Sequence, residues 1–321
     1  MCEFSVIVPY YNAEDTLAKC IESIICQENA NFQLILINDG SSDNSYDIAN
    51  KYAQHDSRIV LLNQSNKGQG AARNAALDIA VGEYIVFVDA DDYLEPEVLH
   101  RIGKLVVDNQ LDILRLYMQP IINGKIQKDG VKFVDNPGII ESGRDRLIRG
   151  RSSYALCTNI YRRCFLNEHN LRMLEGVRYE DMDFVVRATW YARRMMDENL
   201  IFYNYVFRDQ SVSNCVSINM VEDYYKVANI VAEFVNREVD AIAYDAYFRN
   251  YLGFLFSHIV NLCVVNDFSL FRIFSKQEIN VILRYLRSSK VKKYRVQSVF
   301  ISLKQLGIYK VLYESISKSK C

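Results

Sequence analysis

The sequence predicts an α/β protein: a mostly parallel sheet flanked by helices, followed by a helical C-terminal region. Three observations predict it. Short apolar runs rich in β-branched residues alternate with helical periodicity through residues 1–105. The loops between them are short, and polar residues gather directly after three of the runs. From Asn219 onward Tyr, Phe and Leu recur at three- and four-residue spacing, the period of a helix.

The elements follow in order. Residues 4–8 form a buried strand, after which Asn12 is placed to cap a helix carrying Leu17, Ile21, Ile24 and Ile25. Residues 34–37 form a second strand, ending in the turn cluster Asn38-Asp39-Gly40-Ser41-Ser42-Asp43. A helix over 46–53, a strand over 59–62, an Ala-rich helix over 70–80 and a strand over 84–88 complete the alternation. Pro96 suits the first turn of the next helix. The middle is less regular, with strands expected at 113–117, 132–134 and 201–205 and helices at 142–149 and 180–193. The expected division is 1–215, with halves 1–105 and 106–215, and a helical region 216–321.

Composition bounds the function. In 321 residues, 50% are hydrophobic and 24% charged, so the chain can bury a core and disorder is excluded. The net charge of −1 argues against a nucleic-acid partner. None of the eight cysteines forms a Cys-x-x-Cys and the four histidines are scattered, so neither a zinc site nor a disulfide framework is expected. Residues 4–8 read as a strand rather than a signal peptide, and the apolar run 251–265 falls short of a membrane span. A cytoplasmic protein is expected. Charge is uneven, however: residues 284–321 hold ten Lys/Arg and one acid, Glu314, interleaved with apolar residues. Such a segment either lies on an anionic membrane surface or packs as a solvated helical face.

In a parallel sheet, ligands bind at the carboxyl ends of the strands. Asp89-x-Asp91 follows Ile85-Val86-Phe87-Val88. The strand fixes its last residues, and its pleat sends both carboxylates to the same side, where they suit Mg²⁺ or Mn²⁺, which keep waters and take up phosphate oxygens. Asp92 reads better as a cap on the Pro96 helix than as a metal neighbour. Asn38-Asp39-Gly40 suits an Asx-turn, or Asp39 faces a ligand; both can hold at once, with Asp43 capping and Asp39 pointing at ligand. Lys67-Gly68-Gln69-Gly70 opens a helix whose amides can face an anion, and Arg73 stands where a dinucleotide fingerprint has its third glycine.

Taken together, Phe4-Ser5-Val6-Ile7-Val8-Pro9-Tyr10-Tyr11-Asn12, Asn38-Asp39-Gly40-Ser41-Ser42-Asp43, Asn66-Lys67-Gly68 with Arg73-Asn74, and Phe87-Val88-Asp89-Ala90-Asp91-Asp92 resemble the nucleotide-binding half of a family 2 glycosyltransferase of the GT-A fold. Asn159-Ile160-Tyr161-Arg162-Arg163 and Tyr179-Glu180-Asp181-Met182-Asp183-Phe184 resemble its acceptor side, and residues 203–213 resemble the strand and loop that follow. The resemblance implies inverting transfer from a nucleotide-sugar donor, usually a UDP-sugar, to a hydroxyl acceptor with a divalent cation. It places Asp39 at the uracil ring, Pro9, Tyr11 and Glu14 around the base pocket, and Arg73 in support of it. Asp89 falls at ribose or metal, Asp91 at the metal and Asp181 as catalytic base. Lys67 adds positive charge nearby, and Glu180 and Asp183 are rivals to Asp181. Two departures bear on donor preference and diphosphate grip: Asn38 replaces a second acid, and Val206 replaces an arginine, with Arg208 two residues on. The implied setting is cell-surface polysaccharide synthesis at the inner membrane face, with a saccharide or lipid-linked saccharide acceptor. The competing reading is a non-catalytic sugar-nucleotide-binding subunit of an assembly complex.

Overall fold

The computed structural model describes residues 3–127, 131, 133, 134, 136–150, 155–207, 217–266 and 273–302. Strand β1 (Phe4–Tyr10) is buried along its whole length. Helices cover both faces of the sheet there, which is why its sequence is a continuous apolar run rather than an alternation. β2 (Phe32–Asp39) and β3 (Ile59–Gln64) lie on one side of it, with Val6 opposite Leu34 and Leu34 opposite Ile59. β4 (Tyr84–Phe87) lies on the other, with Phe4 opposite Tyr84. All four strands are parallel. The crossovers between them are α1 (Leu17–Ile25), α2 (Ser45–His55) and α3 (Gln69–Ile79).

After β4 the short β5 (Tyr93–Leu94) leads to α4 (Val98–Asp108) and β6 (Ile113–Ile122). There follow β7 (Lys125–Ile126), β8 (Ile140–Glu141), α5 (Gly143–Ile148), β9 (Asn159–Arg162), α6 (Arg163–Glu168), α7 (Glu180–Tyr191) and β10 (Met195–Phe207). The sheet order is β3-β2-β1-β4-β9-β6-β10-β5, with β7 on β6 and β8 on β10. β9 runs against both β4 and β6, and β10 is parallel to β6. The sheet is therefore mixed but mostly parallel. The carboxyl ends of β1 to β4, β6 and β10 share one edge.

Two local expectations are corrected and one strand is added. Residues 133 and 134 lie outside any strand: the Val134 N–H donates to Tyr117 Oη (3.1 Å) and Asn199 Oδ1 (3.2 Å), so side chains satisfy this backbone. Pro96 stands before the helix instead of in its first turn, because Glu97 takes the N-cap of α4 in the left-handed region (φ 53°). Residues 159–162, not foreseen as a strand, form β9. Four residues are too few for an alternation to register in the sequence.

The chain divides into two compact units, Met1–Arg146 with Ser152–Ser211, and Leu147–Arg151 with Val212–Cys321. In the second unit α8 (Ile218–Glu238) and α9 (Ala241–Ala243) lead through a wider π-type turn, Tyr244–Phe248, into α10 (Arg249–Asn266). α11 (Lys276–Ser288) opens with a capping box between Ser275 and Glu278, and α12 (Lys292–Ser302) follows. α10 packs on α8 and α11, with the rings of Phe256 and Tyr285 stacked 4.6 Å apart. No helix among the described residues is long and apolar enough to cross a membrane. The basic stretch from Arg284 is described only as far as Ser302.

Candidate active site

The loops after β1 and β2 clasp each other. Asn12 takes a left-handed backbone (φ 48°), and its N–H donates to Ser41 Oγ (3.1 Å). Its Oδ1 accepts from the Ser42 N–H (2.8 Å). Asn12 therefore does not cap α1, whose N-cap is Thr16; its side chain is used between loops. Glu14 Oε2 accepts from the Asn44 N–H (3.1 Å) and Nδ2 (2.7 Å), and the Glu14 N–H donates to Asp43 Oδ2 (3.1 Å). Asp43 also receives the Ser45 N–H at the start of α2 (3.0 Å). Pro9 is buried in β1, while Tyr11 stands 51% exposed above this clasp.

Asp39 ends β2 and is buried. Its carboxylate accepts from Gln64 Nε2 (2.7 Å) and from the N–H groups of Lys67 and Gly68 (both 2.9 Å). One acid thus fixes the loop that leads into α3, leaving the Lys67 side chain exposed. Gly68 needs its left-handed φ of 88°, and Gly70 permits a close approach: a Cβ there would stand 2.1 Å from the Leu174 carbonyl oxygen.

The Asp89-x-Asp91 segment departs from the strand expectation. β4 ends at Phe87, and Asp89 to Asp92 form a turn closed by the Asp92 N–H to the Asp89 carbonyl (3.0 Å). Pleat alternation therefore does not govern where the two carboxylates face. Asp89 is 34% exposed at its side chain and accepts from Arg73 Nη2 (2.7 Å) and Cys157 Sγ (3.3 Å). Burial pushes the Cys157 pKa well up, as does Asp89, so it is a thiol there. Asp91 is exposed. Asp92 does not cap α4. It is buried, accepting from Tyr203 Oη and the Val206 N–H (both 2.7 Å). Burial and the Asp89 charge push its pKa up to about 8, against the Val206 hydrogen bond.

Arg73 joins this turn to α7. It is 3% exposed, and its Nη1 donates to Glu180 Oε1 (2.5 Å) while its Nη2 donates to Asp89 Oδ1. Burial works against the Arg73 charge, but Asp89 and Glu180 outweigh it and its pKa is raised. The start of α7 is brought here by α3: Asn74 accepts the Met173 N–H (2.8 Å) and donates to the Met173 carbonyl (3.0 Å) and Glu175 (2.9 Å). Tyr179, the N-cap, is held in the left-handed region (φ 65°), a conformation that costs of order 1–3 kcal/mol for a non-glycine residue.

Three acids open α7 and take three roles. Glu180 pairs with Arg73. Asp183 is buried and pairs with Arg187 one turn on (2.6 Å). Asp181 forms no ion pair among the described residues. Burial, then the Glu180 charge, pushes its pKa up to about 6, against the pull of Arg73. The structure thus brings Arg73, Asp89 and Glu180 together with Asp181 beside them, and gathers Tyr11 and Glu14 at the β1–β2 clasp. Arg208 lies outside the described residues. The sequence reading missed Asn74, Cys157 and Tyr203 as contributors. Asn74 stood directly after Arg73 in a motif already singled out, and Tyr203 opened the segment 203–213, but neither position carried a sign of its role; Cys157 had no signal.

A mostly parallel sheet with acids at its carboxyl edge, an exposed acidic turn and a separately positioned carboxylate is an arrangement suited to glycosyl transfer. The family model described as Glycosyl transferase family 2 matches residues 5–170, and the chain belongs to that family. It is 28% identical over 256 residues to the uncharacterized glycosyltransferase YibD of Escherichia coli K12, covering 75% of this chain and 73% of YibD. It is 27% identical over 263 residues to poly(ribitol-phosphate) beta-N-acetylglucosaminyltransferase TarS of Staphylococcus aureus, covering 80% of this chain but 45% of TarS. The solved structure of TarS residues 1–349 in complex with UDP-GlcNAc superposes with a TM-score of 0.69 at 23% identity, covering 99% of this chain and 92% of that one. The mannosyltransferase PcManGT from Pyrobaculum calidifontis, in complex with GDP-Man and Mn²⁺, superposes with a TM-score of 0.55 at 12% identity, covering 96% and 87%. These likenesses show the GT-A fold.

Arg73→Met removes the shared cation and leaves Glu180 buried without it, so stability should fall by about 3 kcal/mol in urea unfolding. Adding Glu180→Gln should restore part of that loss. Strict additivity of the two changes would show that the pair is uncoupled.

Proposed function

We propose that this chain transfers a sugar, with inversion, from a UDP-sugar to a hydroxyl of a saccharide or lipid-linked saccharide acceptor, in the synthesis of a cell-surface polysaccharide. The observation that carries the reading is Asp181: alone among the acids opening α7 it has no ion pair among the described residues, and its environment raises it to about 6. A base must be ionised at working pH yet willing to take a proton, and a pKa just below neutrality meets both needs. The UDP-sugar and the polymer setting are supported by the TarS likeness.

The donor set at the Asp89–Asp92 turn fits a hard divalent cation. Asp91 and Asp89 offer carboxylate oxygens, the nearby sulfur is a protonated thiol, and the described residues contain no cluster of three or more His, Cys, Asp and Glu that would make an all-protein cage. Mg²⁺ or Mn²⁺ binds in this way, through one or two carboxylates with substrate phosphate and water completing its shell. Such a cation, held by Asp91 with Asp89, supplies Lewis acidity toward the departing diphosphate. The rest falls to the chain's own residues. Asp39 holds the Lys67–Gly68 loop in place and, in this reading, offers its remaining lone-pair capacity to the base edge; Pro9, Tyr11 and Glu14 enclose the base. Lys67 and Arg208 supply positive charge toward the phosphates. Glu180, tied to Arg73, keeps Asp181 oriented, and Asp181 takes the acceptor proton as the hydroxyl attacks opposite the leaving group.

The basic stretch beginning at Arg284 is proposed to meet an anionic membrane surface. On α12, Val296 and Val299 are exposed, and Lys292 and Lys293 stand exposed at its start. Sedimentation with anionic vesicles should fall on deleting residues 284–321; equal binding makes the stretch a structural face.

Titration calorimetry should show UDP binding tighter with Mn²⁺ than with EDTA, and Asp91→Asn should remove that gain while sparing metal-free binding. Equal UDP affinity in the two buffers would defeat the metal reading. Asp181→Asn should leave UDP binding unchanged and lower transfer about a hundredfold or more. With the wild type, transfer under saturating donor should rise with pH and level off above about 6, since only the ionised form accepts a proton. A flat profile, or an active Asp181→Asn, would move the base elsewhere.

A further inference from the structure

A single phenolic hydroxyl bonds to both ends of the turn that carries Asp89 and Asp91. Tyr203 Oη accepts from the Asp89 N–H (3.1 Å) and donates to Asp92 Oδ2 (2.7 Å). Asp89 and Asp92 are the first and last residues of that turn, so one oxygen holds both of its ends. The second Asp92 oxygen accepts from the Val206 N–H, three residues farther along β10. The next residues are stitched to β10 as well. Tyr93 and Leu94 pair with Asn204 and Tyr203, the Glu95 N–H donates to the Phe202 carbonyl (2.8 Å), and Glu95 Oε1 accepts from Asn204 Nδ2 (2.6 Å).

The chemistry of the brace is specific. Tyr203 is 1% exposed, so its ring cannot swing to find other partners. Burial raises its pKa, as do Cys157 and the neighbouring acids, so the group stays a hydroxyl able to donate and accept at once. Asp92, at 3% exposure where the Asp89 side chain is 34% exposed, is a support of the turn and not a further cation ligand. The exposed Asp91 sits between the two anchored ends.

We propose that Tyr203, acting through Asp92 and the Asp89 amide, is a positioning residue: it sets the Asp89–Asp91 pair in the one arrangement that takes a divalent cation together with the donor diphosphate. This rests on the donor and metal reading above. Losing the hydroxyl leaves the Asp89 N–H and Asp92 Oδ2 without this partner, and the turn gains freedom that cation binding must then remove.

The test compares UDP affinity with Mn²⁺ and with EDTA by calorimetry for wild type, Tyr203→Phe and Tyr84→Phe. Tyr84 is a control of the same type on the strand that enters the turn. It is 1% exposed, and its hydroxyl donates to the Val106 carbonyl (2.9 Å). Tyr203→Phe should cut the Mn²⁺-dependent gain about tenfold while leaving UDP binding in EDTA unchanged. Tyr84→Phe should keep the full gain, whatever it does to the melting temperature. An unchanged gain in Tyr203→Phe overturns the proposal, as does an equal loss in both variants, which would mean general loosening. If wild type shows no gain, the metal reading itself fails and takes the brace with it. Should Tyr203→Phe not fold, Asp92→Ala removes both acceptor oxygens, from the same hydroxyl and from the Val206 N–H. It should lose the gain likewise, and retention of the gain overturns the proposal.

Discussion

The guanidinium of Arg73 is the constraint on which the site depends. Taking an arginine out of water costs several kcal/mol, and only close, well-oriented carboxylates offset it. Here Asp89 comes from the turn after β4 and Glu180 from the start of α7, 107 positions from Arg73 in the chain. The planar fork fixes the distance between those two segments as well as holding them, which a lysine's single ammonium point cannot do. Because α3 also grips the approach to α7 through Asn74, one helix determines where the acidic turn and the proposed base stand relative to each other.

The first turn of α7 shows how neighbouring acids acquire different chemistry. Glu180, Asp181 and Asp183 are all favoured there by the helix dipole. What separates them is their partners. Arg73 and Arg187 hold the first and third as salts, whereas Asp181 lies next to a like charge in a partly dry environment. The strained Tyr179 backbone at the cap fits the same account, since strain persists where surrounding contacts over-determine a position.

The sequence made the parallel half of the sheet readable because a strand covered on both faces is mostly apolar, as at residues 6–9 of β1 and 34–37 of β2. Acids at strand ends were readable for the converse reason: Asp39 and Asp89 interrupt such runs abruptly. What could not be read was anything decided by contacts distant in sequence. Nothing local marks Tyr203 as the anchor of a turn 111 residues earlier, or tells that Asn12 bridges loops instead of capping a helix. The turn at Asp89–Asp92 was mistaken for strand because the apolar run gives no sign of ending one residue early. β9 escaped because its four residues, placed between antiparallel neighbours, owe their conformation to the strands on either side.

That short reversed strand also bears on how the protein comes into being. β4 is paired on one side by β1 as soon as both have been made, but its other edge is covered only by β9, whose residues leave the ribosome more than seventy positions later. Until then Ile85, Val86 and Phe87 present open backbone groups beside apolar side chains, the arrangement most prone to pairing with another chain. A nascent chain that has reached β4 but not β9 therefore lacks the partner for this edge. Closing that edge joins the two halves of the sheet, so the rate of this long-range pairing governs how long each newly made molecule remains vulnerable to aggregation.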